Sequence, residues 1–302
     1  MKIVIFGYGF EGARLYRELK NLAQDEVIGF ADNSIYKQGN FVDNLPIWSM
    51  DDLIRLKATT DFAVIIAAYK WFIIGRQLEE HGIPIWGRYQ NGNILKYEQM
   101  FFGRLDLSRQ ITLYAGDICD DVHLSNPDLY GLSICKADAR HILHDITEKY
   151  PLPDDSIYSY QAEDVLEHIE IAKLPDTINE VYRILRKGGL FRLCLPDYFS
   201  PHLNGVSMKD KDGNLLFDAT GGGNYGKGGV LDGGHVWFPN YRNVQELLQN
   251  TRFQDIRFLC YHTEDARRVM KEIDFGKGYI NRIPKTDEQN KPVYSIVVDC
   301  YK

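Results

Sequence analysis

HDITEKYPLPDDSIYSYQAEDVLEHIEIAKLPDTINEVYRILRKGGLFRLCLPDY, His144 to Tyr198, is the stretch whose reading decides the fold. The loop PLPDDS ends in turn-forming residues, and an apolar, aromatic run predicts a strand over Ser156–Ala162. Apolar residues at helical spacing then predict a helix over Lys173–Leu185, and a second buried strand is predicted over Leu190–Leu195. The polar cluster Glu163, Asp164, Glu167 and His168 falls at the end of the first strand, and Asp197 and Tyr198 fall at the end of the second. Ligands of doubly wound sheets bind beyond the carboxyl ends of the strands, so these residues sit where a site is expected.

The same alternation extends outward. Upstream, strands are predicted over Ile111–Ala115 and Leu132–Ala137. Downstream, a helix is predicted over Arg242–Gln249 and two closing strands over Asp255–Cys260 and Tyr294–Asp299. A separate α/β series precedes them: strands Lys2–Phe6, Val27–Ala31 and Phe62–Ala68, helices Glu11–Leu22, Met50–Leu56 and Trp71–His81, and a short strand in GIPIWG. Short apolar strands alternating with amphipathic helices imply parallel sheets covered on both faces. The polar stretch GRYQNGNILKYEQMFFGR shows no strong period, which places domain one at 1–95, a linker at 96–110 and domain two at 111–302. A chain of 302 residues has room for two cores.

Composition narrows the function classes. The chain is 44% hydrophobic and 25% charged with a formal net charge of -7, the profile of a folded protein without the basic field that a nucleic-acid partner requires. Its start lacks a signal-peptide pattern, and its longest apolar run is broken by Lys70 and Arg76, so no membrane insertion is expected. Five scattered cysteines imply neither a disulfide framework nor a zinc site. A cytoplasmic location is expected, with a homodimer as an open option.

The chain opens MKIVIFGYGFEGARLYREL, with Gly7, Gly9 and Gly12 in the spacing G-x-G-x-x-G between a strand and a helix. In that pattern the glycines permit a tight turn, phosphate approach and close helix packing, and Asp32 stands where a ribose-binding acid is expected. The first domain is half the size of a full dinucleotide fold, and no hydride-transfer partner follows, so one mononucleotide unit fits better. The alternative is that the glycines only shape the turn of a docking scaffold.

The stretch around PLPDDS, EDVLEHI, NEVYRILRKGG and LFRLCLPD resembles class I S-adenosylmethionine-dependent methyltransferases. The resemblance implies a doubly wound sheet ending in an antiparallel strand pair, with S-adenosylmethionine as cofactor. It places Ala115, Gly116 and Asp117 of LYAGD at the methionine end of the cofactor, Asp138 at the ribose, Asp145 at the adenine amino group, and Glu163 and Asp164 along the pocket. The first turn departs from the family's Gly-x-Gly, since only Gly116 remains, and Asp117 is expected to hold the cofactor's ammonium. His168 and Trp237 are expected at the substrate, with Trp237 stacking on a sugar ring. His235 is the expected general base, positioned by Asp197 and Tyr198. The alternatives are a packed loop role for His235, and helix capping or pairing with Arg183 and Lys187 for Glu167 and His168. No metal site is expected at His141, His144 and Asp145.

The opening segment, together with VIGFADNS and FAVIIAAY, resembles the small Rossmann-like domain of bacterial sugar acetyltransferases. That resemblance implies that Gly7, Gly9, Gly12 and Asp32 bind a nucleotide sugar. The combined expectation is O-methylation of a sugar or sugar-linked group in bacterial surface polysaccharide (capsule or lipopolysaccharide) synthesis. Two rivals stay open: a non-catalytic partner with a degenerate cofactor site, and an NAD-dependent oxidoreductase.

Overall fold

Ile3, Val4, Ile5 and Phe6 are almost completely buried, which requires cover on both faces of the strand they form. This strand is central in the first of two units. The computed structural model describes residues 1–21, 25–283 and 293–302, and it divides into Met1–Arg104 and Leu105–Lys302.

The first unit runs β1 (Lys2–Phe6), α1 (Phe10–Lys20), β2 (Glu26–Ala31), β3 (Phe41–Val42), β4 (Leu45–Trp48), α2 (Met50–Lys57), β5 (Ala63–Ile66), α3 (Trp71–Glu80), β6 (Ile85–Gln90) and β7 (Asn93–Lys96). The sheet order is β3-β4-β2-β1-β5-β6-β7, parallel from β4 to β6 with an antiparallel strand at each edge. Leu22, the expected end of the first helix, lies outside the described residues. The two edge strands were absent from the sequence reading. Asp43 and Asn44 both take positive φ in the β3–β4 turn, as do Asn91 and Gly92 in the β6–β7 turn, and such turns match the twist of a two-residue hairpin. The residues expected to start a linker at 96 instead close β7 and continue into 3-10 turns at Tyr97–Met100 and Phe102–Arg104.

The second unit runs β8 (Thr112–Ala115), α4 (Asp121–Ser125), β9 (Leu129–Ser133), β10 (His141–Leu143), β11 (Ile157–Glu163), α5 (Leu174–Ile184), β12 (Leu185–Pro196) and α6 (Pro201–Val206). Two small hairpins follow, β13 (Met208–Lys209) with β14 (Leu215–Phe217) and β15 (Asn224–Gly226) with β16 (Gly229–Leu231). Then come α7 (Tyr241–Gln249), β17 (Asp255–His262), β18 (Arg268–Met270) and β19 (Ser295–Tyr301). The main sheet has the order β10-β9-β8-β11-β12-β19-β17-β18. Its first five strands are parallel, and β19 enters antiparallel between β12 and β17, so the closing antiparallel strands form as expected.

One boundary shift matters for the site. The strand expected over Leu132–Ala137 stops at Ser133, because the Ser133 hydroxyl accepts the backbone N–H groups of Cys135 and Lys136 and turns the chain. α5 forms where predicted: its buried Leu174, Thr177, Ile178, Val181 and Ile184 repeat at helical spacing, and a proline sits in the first turn.

Arg192 on β12 and Asp299 on β19 form a buried, bidentate ion pair at 2.7 Å in both hydrogen bonds. The same guanidinium donates to the carbonyls of Asp274 and Gly278. Arg192→Ala leaves Asp299 charged and unpaired in the sheet, and breaking a buried pair costs about 3–5 kcal/mol. A urea titration of the second unit's unfolding is expected to show a loss of that size, and a loss under about 1 kcal/mol would refute this reading of the pair.

Candidate active site

The order of the second sheet reverses between β8 and β11: β8 leads to β9 on one side, and β11 leads to β12 on the other. Such a reversal opens a crevice beyond the strand ends. Ala115 closes β8 as a buried residue, and Gly116 turns the chain at φ +95°, where a side chain is strained. An added Cβ there would also press to 3.3 Å from Val165 Cγ2. The crevice is a cavity of ≈ 600 Å³ whose walls include Gly116, Asp117, Asp145, Asp164 and His168, within the roughly 300–1,000 Å³ range of small-molecule sites.

Four carboxylates line this cavity: Asp117, Asp145, Asp164 and Glu170. Asp117 is exposed. Asp145 accepts the Thr147 N–H at 2.9 Å and its hydroxyl at 2.7 Å through Oδ1 alone, and Oδ2 has no hydrogen-bond partner among the described residues. Asp164, at φ +52°, pairs with Arg282. Burial pushes the Asp164 carboxyl up and the guanidinium opposes that shift.

Other expected site residues lie off the cavity wall. Asp138 is not at a strand end, since β9 stops five residues earlier. Its Oδ1 accepts the N–H groups of Arg140 and His141 and the His141 Nδ1 proton, the last at 2.8 Å. His141 Nε2 in turn accepts the Ile118 N–H at 2.9 Å, which fixes the tautomer. Burial opposes ionisation of Asp138, but its hydrogen bonds with His141 and Arg140 prevail and hold it below the usual carboxylate range. Asp138 therefore braces the Gly116–Ile118 turn, and the cavity wall at the end of β9 is Ser133–Cys135.

Glu163 accepts the N–H groups of Asn281 and Arg282 at 3.2 and 2.8 Å, which holds the segment that brings Arg282 to Asp164. Asp197 is committed to His262, whose N–H and Nδ1 lie at 2.6 and 2.9 Å from its Oδ2. It ties β12 to β17 and does not touch His235. Trp237 is 7% exposed and donates from Nε1 to the Leu166 carbonyl at 2.9 Å, so its ring is packed and unavailable for stacking on a sugar.

A second cluster adjoins the cavity at His168. Tyr198 donates its hydroxyl to Asp218 Oδ2 at 2.6 Å. The phenol has one proton, so the 2.5 Å contact with His235 Nδ1 is a bond donated by the imidazole. The lone pair of His235 is then on Nε2, 3.7 Å from Glu167 Oε1. Glu167 is completely buried, and neither of its carboxylate oxygens has a hydrogen-bond partner among the described residues. Burial pushes the Glu167 carboxyl well up and the His235 imidazole down to about 4. His168 stacks edge-on against His235, with ring centroids 4.8 Å apart, and its Nδ1 donates to the Gly233 carbonyl at 2.8 Å. Arg183 pairs with Glu180 and Asp154 and makes no bond to Glu167 or His168. Glu167, expected at the pocket or as a helix cap, is enclosed behind the cavity wall.

In the first unit the glycine turn has the expected stereochemistry. Gly7 takes φ +103°, and a Cβ on Gly12 would lie 2.0 Å from the Gly7 carbonyl oxygen. Gly9 caps α1 without a side-chain bond, and nothing lies within 4 Å of a Cβ built on it. Asp32 is already bonded: it accepts the Tyr8 N–H at 3.0 Å, the Ser34 N–H at 2.9 Å and the Lys37 ammonium at 2.8 Å.

Residues 108–193, which hold β8 to most of β12, match a family model described as a methyltransferase domain. Solved structures similar to this chain include an S-adenosylmethionine-dependent methyltransferase from Archaeoglobus fulgidus, at 14% identity over 64% of this chain and 86% of that one with a TM-score of 0.39. Another, from Mesorhizobium loti, is 16% identical over 64% of this chain and 90% of that one, with a TM-score of 0.35. No curated protein matches at a significant level. Among the described residues, no helix is long and apolar enough to cross a membrane. The matched residues build the parallel part of the second sheet and the crevice, so a methyltransferase domain spans residues 108–193 of this chain.

Proposed function

We propose that this chain is an S-adenosylmethionine-dependent methyltransferase that transfers the methyl group to a hydroxyl of a sugar or sugar-linked group in bacterial surface polysaccharide synthesis, with the first unit binding a nucleotide sugar. The observation that carries the acceptor side of this reading is the Asp218–Tyr198–His235 chain, which ends in an imidazole lone pair beside the cavity wall. The uncapped N-terminus of α1 behind the Gly7–Gly12 turn supports a phosphate-bearing ligand. The five unbridged cysteines support a cytoplasmic setting.

Bound S-adenosylmethionine supplies an electrophilic methyl group on a sulfonium. Gly116 would admit the ligand close to the backbone, and Asp117 would pair with its ammonium. Asp145 would accept from the adenine amino group through Oδ2. Asp138 supports the site indirectly by bracing the Gly116–Ile118 turn through His141. With the donor bound, the acceptor oxygen would take the methyl group as the C–S bond breaks, and the hydroxyl proton would pass to solvent water. His235 acts on that hydroxyl, and Tyr198 and Asp218 keep its Nε2 unprotonated and in place.

Calorimetric titration with S-adenosylhomocysteine is expected to show micromolar binding that Asp145→Ala weakens at least tenfold; no binding by the unaltered chain would overturn the cofactor site. In a screen of nucleotide sugars with labelled methyl donor, His235→Ala is expected to keep S-adenosylhomocysteine affinity and lower turnover by a factor of about 10²–10⁴. Unchanged turnover would remove His235 from the reaction. Asp32→Ala is expected to weaken nucleotide-sugar binding at least tenfold, and equal affinity would leave the first unit a docking scaffold.

A further inference from the structure

Glu167, His168 and His235 each offer a metal-ligand atom, and these atoms lie within 4.8 Å of one another. Their arrangement has three properties that packing alone does not explain. Glu167 lies fully inside the protein with neither oxygen bonded among the described residues, although a buried polar group without a partner is costly. Each histidine has its Nδ1 committed, His168 to the Gly233 carbonyl and His235 to the Tyr198 hydroxyl, which leaves the Nε2 lone pair on both rings. Histidines that hold metals are oriented in this way by a bond from the other ring nitrogen. The cluster is also open on one side: His168 is exposed and lines the cavity, while Glu167 and His235 are enclosed behind it.

We propose that Glu167, His168 and His235 form a binding site for one divalent transition-metal ion, with a free coordination position directed toward the acceptor side of the cavity. Two imidazoles and one carboxylate are a donor set suited to zinc, cobalt, iron or nickel in preference to magnesium or calcium, which take oxygen ligands. Three protein ligands and an open fourth position are the arrangement of a catalytic site, in contrast to the closed four-ligand structural kind. Metal–ligand bonds of about 2.0–2.2 Å place tetrahedral ligands roughly 3.3–3.6 Å apart. The 3.7 Å between His235 Nε2 and Glu167 Oε1 is already close to that. The glycine-rich segment serves the same end, since a Cβ on Gly221 would lie 2.6 Å from the His235 ring and only glycine lets the backbone cover the imidazole.

The chemical consequence rests on the reading of this corner as the acceptor side, whereas metal binding does not. With its Nε2 on the cation, His235 acts on the acceptor hydroxyl by holding the ion that binds the oxygen. The ion lowers the hydroxyl pKa, the proton passes to solvent water, and the oxygen pair is freed to form the C–O bond.

The test uses the full chain, freed of metal by chelation and titrated with Co²⁺ as the probe, with absorbance reporting coordination and calorimetry reporting stoichiometry. One Co²⁺ per chain, displaced by Zn²⁺, is expected. His168→Ala, a surface change that leaves the core intact, and Glu167→Gln are each expected to weaken binding at least about 100-fold, and Tyr198→Phe roughly 10- to 100-fold. His144→Ala, on the cavity wall outside the cluster, is expected to bind as the unaltered chain does. S-adenosylhomocysteine affinity, measured on each variant, separates loss of the ion from loss of the fold or of the methyltransferase site. No saturable Co²⁺ or Zn²⁺ binding, or binding unchanged in His168→Ala and Glu167→Gln, would overturn the proposal even where the cofactor still binds.

Discussion

The reversal of strand order between β8 and β11 is the constraint on which the second unit depends. Two neighbouring parallel strands whose connections leave in opposite directions cannot both have their ends covered, so the sheet itself creates a crevice. Every local device found there works on its two rims. Gly116 clears space on the β8 side, the Asp138–His141–Ile118 bridge holds that turn from behind, and Asp164 with Arg282 shapes the β11 side. The first unit repeats the principle, with its own reversal between β1 and β5 and its glycine turn at the end of β1.

Burial of charge-bearing groups sets the character of the site. Most buried acids in the unit are satisfied by backbone N–H groups or by a cation: Glu163 by Asn281 and Arg282, Asp197 by His262, Asp299 by Arg192. Glu167 is the contrast, enclosed with neither oxygen bonded among the described residues. A protein tolerates such a residue when its cost is recovered in a bound state. The hydrogen-bond chain from Asp218 through Tyr198 to His235 converges on the same point from the other direction.

The fold was legible because its signals are periodic and local. The apolar run before Glu163, the helical spacing of Leu174, Ile178 and Val181, and the apolar strands of the first unit each declare an element without reference to distant chain. What failed depended on side chains bonding to backbone. The Ser133 hydroxyl ended β9 early and moved Asp138 off the ligand face. Asn91–Gly92 was a hairpin signal lying in a stretch that seemed aperiodic, and β7 followed from it. At the site, the glycine turn and the acids near the strand ends were identifiable by position. The packing of Trp237 against the Leu166 carbonyl and the isolation of Glu167 were not, because both depend on the path of the segment between α6 and α7, which no spacing rule determines.

β19 has a consequence for the order in which the molecule assembles. It lies between β12 and β17, yet both neighbours precede it in the chain. During synthesis, β17 and its hairpin partner leave the ribosome before the strand that joins them to the sheet exists, and Arg192 waits 107 residues for Asp299. The parallel part of the sheet can collect early, but its edge at β12 stays unpaired until the last described strand arrives, and an unpaired edge invites association with other chains. Closure of this sheet therefore waits for β19, which follows both of its neighbours in the chain.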